Sequence, residues 1–291
     1  MKVGLRGLHP VSAFVFFLSS IALTLLTQYP LLIFIGFFGA ALLDIRGRKM
    51  KSVKMLLSFI LPLVLLVTLF NVLFAHYGVT VLFTFKSGNN LTLESLICGA
   101  VYGVRTACLI LWLFCFNEIV DEDKFIYLFS RFTPRLALVI SMALRFIPLF
   151  SQRAEQIEKS RRAIGVTSKS GSFFNRLSAG VHNLSILISW SLERAIDTAD
   201  SMTSRGYGLK KRKNCVRYPF RLFDFVLIFF SAISLILAVV FRSSVYADYN
   251  PVIYVEPFSL RSLSVCVLFF VLCVLPIIFD VTEERAWSIS N

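Results

Sequence analysis

Six apolar runs dominate the chain: Val11–Thr27, Pro30–Leu43, Val53–Ala75, Leu91–Phe116, Leu222–Phe241 and Leu260–Phe279. Crossing about 30 Å of hydrocarbon takes roughly 20 helical residues, and only helices or closed barrels satisfy their backbone there. Composition agrees: 57% of the 291 residues are hydrophobic and 16% are charged, against about 25% charged in soluble domains. A disordered chain, a collagen and a disulfide scaffold are excluded, and the composition argues against an ordinary soluble enzyme. The expected fold class is an all-α polytopic membrane protein with about six transmembrane helices and a cytoplasmic domain of long amphipathic helices. Residues 1–117 form the N-terminal membrane segments, 118–221 the cytoplasmic part and 222–291 the C-terminal membrane segments. Pro30–Leu43 is short enough to be re-entrant or tilted, and Gln28-Tyr29-Pro30 leaves room for a tight turn. The first run reads as an uncleaved segment, since a second apolar run follows it at once.

Loop charge sets the orientation. Asp44–Lys54 holds Arg46, Arg48, Lys49, Lys51 and Lys54, whereas His76–Asn90 holds only Lys86 and Arg242–Leu260 only Arg242. The positive-inside rule then puts the basic loops, the long 117–221 region and both termini in the cytoplasm. Arg105, in the middle of the fourth run, costs at least ~2.5 kcal/mol to insert. It therefore either serves a partner interface or bonds carbonyls of neighbouring helices. Asn71 reads as helix–helix glue.

Residues 117–221 carry 18 basic and nine acidic side chains, a net +9. Leu177, Val181, Leu184, Ile188, Leu192, Ala195, Ala199 and Met202 recur at steps of three and four and draw one apolar stripe on a helix. A second helix runs from Pro134 through Phe150 into Gln152–Arg162, apolar first and charged last, with Pro148 as a kink. Gly165 and Gly206 stand where C-terminal caps belong, each preceded by Arg within four residues. A Ser/Gly-rich turn, Thr167–Ser172, joins the two. Taken alone, this is also the pattern of interfacial helices lying on anionic lipid.

No P-loop, dinucleotide fingerprint, zincin helix or nucleophile elbow occurs. His9, His76 and His182 are scattered, and the six cysteines form no CxxC pair or Cys/His cluster. Neither an enzyme nor a bound cofactor or metal is expected.

Two stretches carry a family resemblance. Leu144-Arg145-Phe146-Ile147-Pro148-Leu149, leading into a charged helix that ends Ser160-Arg161-Arg162-Ala163-Ile164-Gly165, resembles the first long cytoplasmic helix of the T component of energy-coupling factor (ECF) transporters. Ser201-Met202-Thr203-Ser204-Arg205-Gly206-Tyr207-Gly208 is similar to the end of that family's second helix. The family places a short Ala-Arg-Gly motif at each end. Here the aligned triplets are Ala163-Ile164-Gly165 and Ser204-Arg205-Gly206, so Ile164 replaces the first Arg, and Arg161 and Arg162 are the basic residues one turn earlier.

The resemblance implies a membrane scaffold in a prokaryotic cell membrane, joining two ABC ATPase subunits to a substrate-binding S component that carries a vitamin or metal ion. It casts Arg161, Arg162, Ala163, Gly165, Ser204, Arg205 and Gly206 as ATPase-docking residues, with no nucleic acid as partner. Leu177, Val181, Leu184, Ile188, Leu192 and Met202 would pack against the sister helix and the S component. Two rivals predict other patterns. A stand-alone secondary transporter needs inverted repeats and broken helices. A membrane-anchored binder of anionic lipid or nucleic acid needs basic residues along a whole face, and Lys210-Lys211-Arg212-Lys213 would suit it.

Overall fold

The computed structural model describes residues 7–48, 50–74, 78–84, 90–165, 173–208, 218–249 and 253–290; the turn Thr167–Ser172 and the cluster Lys210–Lys213 lie outside them. The chain is an all-α polytopic membrane protein. In order run α1 (Pro10–Leu26), α2 (Pro30–Arg48), α3 (Met50–Met55), a π turn (Leu56–Ile60), α4 (Leu61–Phe74), a hairpin of β1 (Val81–Thr84) and β2 (Asn90–Thr92), α5 (Leu93–Ile119), α6 (Glu122–Phe132), α7 (Pro134–Ala163) and α8 (Phe173–Ser204). Then follow α9 (Leu222–Val240), a 3-10 turn (Arg242–Val245), β3 (Ala247–Asp248), β4 (Tyr254–Val255) and α10 (Leu260–Ser290). Both hairpins are antiparallel, with Phe83 opposite Leu91 in the first and Ala247 opposite Val255 in the second. Contacts divide the chain into one unit of Met1–Phe125 with Tyr218–Asn291 and another of Ile126–Arg217.

In the first unit the 17-residue helix α1 packs against α5 and α9. Its buried face is small and hydroxylic: Ser12, Ala13 and Ser20 are fully enclosed. Ser19 and Ser20 donate back to the Phe16 carbonyl at 2.8 and 2.9 Å, and Thr24 donates to that of Ser20 at 2.6 Å. Each hydroxyl is thus satisfied on its own helix, leaving a narrow surface on which neighbours approach closely. Trp112 of α5 fills the space beside it, edge-on to Phe16 and Phe17. At the other end of α1, Asp224 on the first turn of α9 accepts from the backbone N–H of His9 (3.0 Å) and of Arg221 (2.9 Å), and from the Ser12 hydroxyl. One buried carboxylate serves two helix N-termini, where donors are unpaired and the helix dipole favours negative charge.

Arg105 resolves to the second of its two expected roles. Its Nε donates to the Thr24 carbonyl at 3.0 Å and its Nη2 to that of Leu25, the last turn of α1. A cation at a helix C-terminus meets unpaired carbonyls and the negative dipole end. Lys124 does the same for α5, donating to the Ile119 carbonyl at 2.9 Å.

Helix α2 departs from the short segment expected for Pro30–Leu43. It continues to Arg48 and is long and apolar enough to cross a membrane. The polar turn stays helical because its groups have partners: the buried Asp44 carbonyl accepts from Ser52, and Arg46 pairs with Asp280 at 2.8 Å. Gly36 lies against Phe269 and Gly39 against Cys273, so a near-constant offset runs down to the Arg46–Asp280 pair and α2 and α10 are parallel. Helix α10 also runs past the apolar limit at Phe279, to Ser290. The third run is interrupted by the π turn just before Pro62, where the Leu61 N–H reaches back to the Leu56 carbonyl. Widening one turn makes room for a ring that cannot donate.

A second close seam joins α4 and α5. A Cβ on Gly103 would sit 2.9 Å from the Val64 carbonyl oxygen, and one on Gly99 would sit 2.9 Å from the Asn71 Cβ. Gly99 and Gly103 stand one turn apart, the small-xxx-small spacing that lets membrane helices touch backbone to backbone.

Candidate functional site

The second unit contains the helix pair from which the site is built. Arg161 near the end of α7 donates from Nη1 to the Ala179 carbonyl at 2.9 Å and to Asn183 Oδ1. Further along, Phe150 meets Trp190 edge-on at 5.9 Å, and the Arg153 guanidinium lies 5.4 Å from the same ring. Beyond that, Met142–Leu149 face Arg194–Arg205 across a cavity. Residue numbers rise on one helix as they fall on the other, so α7 and α8 are antiparallel.

Both predicted helix ends have the expected cap. Gly165 adopts φ +81° and its N–H donates to the Arg162 carbonyl at 3.0 Å. Gly206 adopts φ +77°, its N–H donates to Thr203 at 2.9 Å, and the Tyr207 N–H reaches Met202 at 3.0 Å. The second pattern is a complete Schellman motif, in which only glycine takes the left-handed position without strain. The chain turns away there, leaving Ser204 and Arg205 exposed. Arg205 lines the cavity edge.

The first end is differently equipped. Ile164, in the place of the family's Arg, is 75% exposed, and Ala163 is exposed beside it. Arg161 is committed to α8 by the two bonds above. Arg162 pairs with Glu158 one turn back and stays on the surface. Of the two basic residues, Arg162 is therefore the one open to an outside group.

The apolar stripe on α8 does not pack as expected. Leu177, Val181, Leu184, Ile188 and Leu192 are all 50–62% exposed. The half-buried positions are Ala179, Asn183, Leu187, Trp190, Ser191, Thr198 and Met202. At 100° per residue most of that line is about a third of the circumference away from the stripe. Arg161 and the Phe150–Arg153 pair hold α7 to the polar line through Asn183 and Trp190. Met202 alone of the six named residues borders the α7 groove.

The apolar first half that the sequence gives α7 is a surface in the structure. That half is apolar enough for α7 to qualify as a membrane span by length and composition, and Leu136, Val139 and Ile147 are 57–62% exposed. The groove beside it, with Arg145, Arg194 and Arg205, was legible only as single charges: Arg145 interrupts an apolar stretch, which is the signal. Among the described residues no group of three His, Cys, Asp or Glu could hold a metal.

A family model described as "cobalt transport protein" (CbiQ) matches residues 5–215. A 72-residue segment is 40% identical to the energy-coupling factor transporter transmembrane protein EcfT 1 of Listeria monocytogenes, covering 25% of this chain and 27% of that protein. The EcfT proteins of Exiguobacterium sibiricum (37% over 75 residues, 26% and 28% covered) and Limosilactobacillus fermentum (38% over 73 residues, 25% and 27% covered) are similar. The chain thus covers little more than a quarter of the length of these curated relatives. With the family model matched over well more than half its length, the chain belongs to the CbiQ family of cobalt transport proteins.

Proposed function

We propose that this chain is the T component of an ECF-type importer, a multi-pass scaffold coupling two ABC ATPase subunits to an S component that binds a vitamin or metal ion. The observation that carries this reading is the antiparallel α7–α8 pair, with its two glycine-capped ends far apart. Arg161 lies beside Ala179 and Asn183, so the α7 end and Arg205 stand about 35 Å apart along α8 at 1.5 Å per residue, enough for the two ends to reach separate subunits. Arg205, at a negative helix terminus and turned outward by Gly206, suits a bidentate contact with a carboxylate in an ATPase groove. At the other end Arg162 supplies the charge, and Ile164 makes that contact the weaker. The exposed stripe Leu177–Leu192 is an apolar surface for the S component. ATP-driven closure of the ATPases would move the pair as levers, so hydrolysis belongs to the partners and this chain does no chemistry. The basic loops put both termini and the α7–α8 pair on the cytoplasmic side.

The test is ATPase association and substrate uptake in an Arg205 series. Losing one partner of a charge-assisted interface contact costs roughly 2–5 kcal/mol. Function should fall in the order Arg, Lys, Ala, Glu with insertion unchanged, because Lys keeps the charge but loses the fork. Uptake in Arg205→Ala equal to the parent protein would overturn the docking role.

A further inference from the structure

The groove between α7 and α8 brings arginines from both helices to a boundary between apolar and charged surface, and Arg194 also lies 5.6 Å from the Trp190 ring. The groove lining includes Met142, Arg145, Phe146 and Leu149 from α7 and Arg194 and Asp197 from α8, with Arg205 at its edge. The cavity measures about 560 Å³. Three arginines line it beside one carboxylate, Asp197, which stands 4.0 Å from Arg194. Arg145 is exposed on α7 among Leu144, Phe146 and Ile147, inside the apolar half of that helix. The charged half begins within two turns, at Gln152 and Arg153. A cation at such a boundary is stabilised by an anion that also tolerates apolar surroundings.

We propose that this groove binds the headgroup of an anionic phospholipid, its phosphate between Arg145 and Arg194 and its acyl chains along Met142, Phe146 and Leu149. Basic pockets at the cytoplasmic membrane boundary take such headgroups through guanidinium–phosphate bonds. The inference needs only the membrane setting of α7, so it stands or falls separately from ATPase docking.

The purified chain, without ATPases, is placed in nanodiscs of equimolar phosphatidylglycerol and phosphatidylcholine and released for native mass spectrometry. Phosphatidylglycerol should be retained selectively. Arg145→Gln and Arg194→Gln should each lower retention about fivefold, the equivalent of about 1 kcal/mol per basic residue at an anionic surface. Arg176→Gln, away from the groove, should leave it unchanged. Asp197→Asn removes the competing carboxylate and should raise retention, an opposite sign that misfolding cannot produce. Equal retention of the two lipids, or no response to Arg145→Gln and Arg194→Gln, overturns the proposal.

Discussion

Arg161→Ala separates a structural arginine from a docking one. The side chain makes two bonds to α8, one to the Ala179 carbonyl at 2.9 Å and one to Asn183 Oδ1. Hydrogen bonds from a charged donor contribute about 1.5–3 kcal/mol each when both groups are desolvated. Neither acceptor is stranded by the change: the Ala179 carbonyl keeps its place in the helix ladder, and the Asn183 amide is only half-buried. With both sites half-exposed, solvent screening brings the loss below the sum of two such bonds, to about 2 kcal/mol for the pair. That is roughly a 30-fold rise in local opening, measurable as faster amide exchange in α8 around Ala179–Asn183. Asn183→Ala should cost about half as much, and the double variant should fall short of additivity by about 0.5–1 kcal/mol, since the two residues share one bond. Unchanged exchange in Arg161→Ala together with loss of ATPase association would refute the reasoning and make Arg161 a docking residue.

Three further outcomes follow from other parts of the structure. Gly103→Val should force α4 and α5 apart against the Val64 backbone and cost about 1–3 kcal/mol, read as a lower melting temperature in detergent; a neutral Gly103→Val would mean that the seam is slack. Arg105→Leu should free the α1 carbonyls of Thr24 and Leu25 and reduce the yield of folded protein, whereas Arg105→Lys should recover most of it; equal yields for Leu and Arg would remove the capping role. In a Cys-free background, Val79→Cys should label with an impermeant thiol reagent in whole cells and Ile164→Cys only after permeabilisation, and the reverse pattern would invert the topology.

Hydropathy made the helices legible, since apolar runs longer than a dozen residues have few other solutions in a membrane. It left open whether Pro30–Leu43 spans because it ended the run at Asp44, whereas α2 stays helical to Arg48, with Ser52 bonded to the Asp44 carbonyl and Arg46 paired with Asp280. The caps at Gly165 and Gly206 were legible because glycine after a basic turn is a local signal. The face that α8 shows to α7 was not. Periodicity identifies an apolar stripe but not its partner, and here a polar line through Asn183 and Trp190 does the packing. The acidic start of α6 at Asp121–Asp123 and the Gly99-xxx-Gly103 seam are both visible once α5 is placed. The Asp224 clasp joins positions more than 200 residues apart, and no local pattern announces it.

The central claim is that the two capped ends meet two ATPase subunits. Ile164→Cys and Ser204→Cys, in a Cys-free background and purified with the partner subunits, place one exposed thiol at each end. With a short bismaleimide, each single variant should give an adduct of this chain with one ATPase subunit, and the double variant should link one copy of this chain to two. Adducts from neither end, in a complex that still imports substrate, would contradict the account.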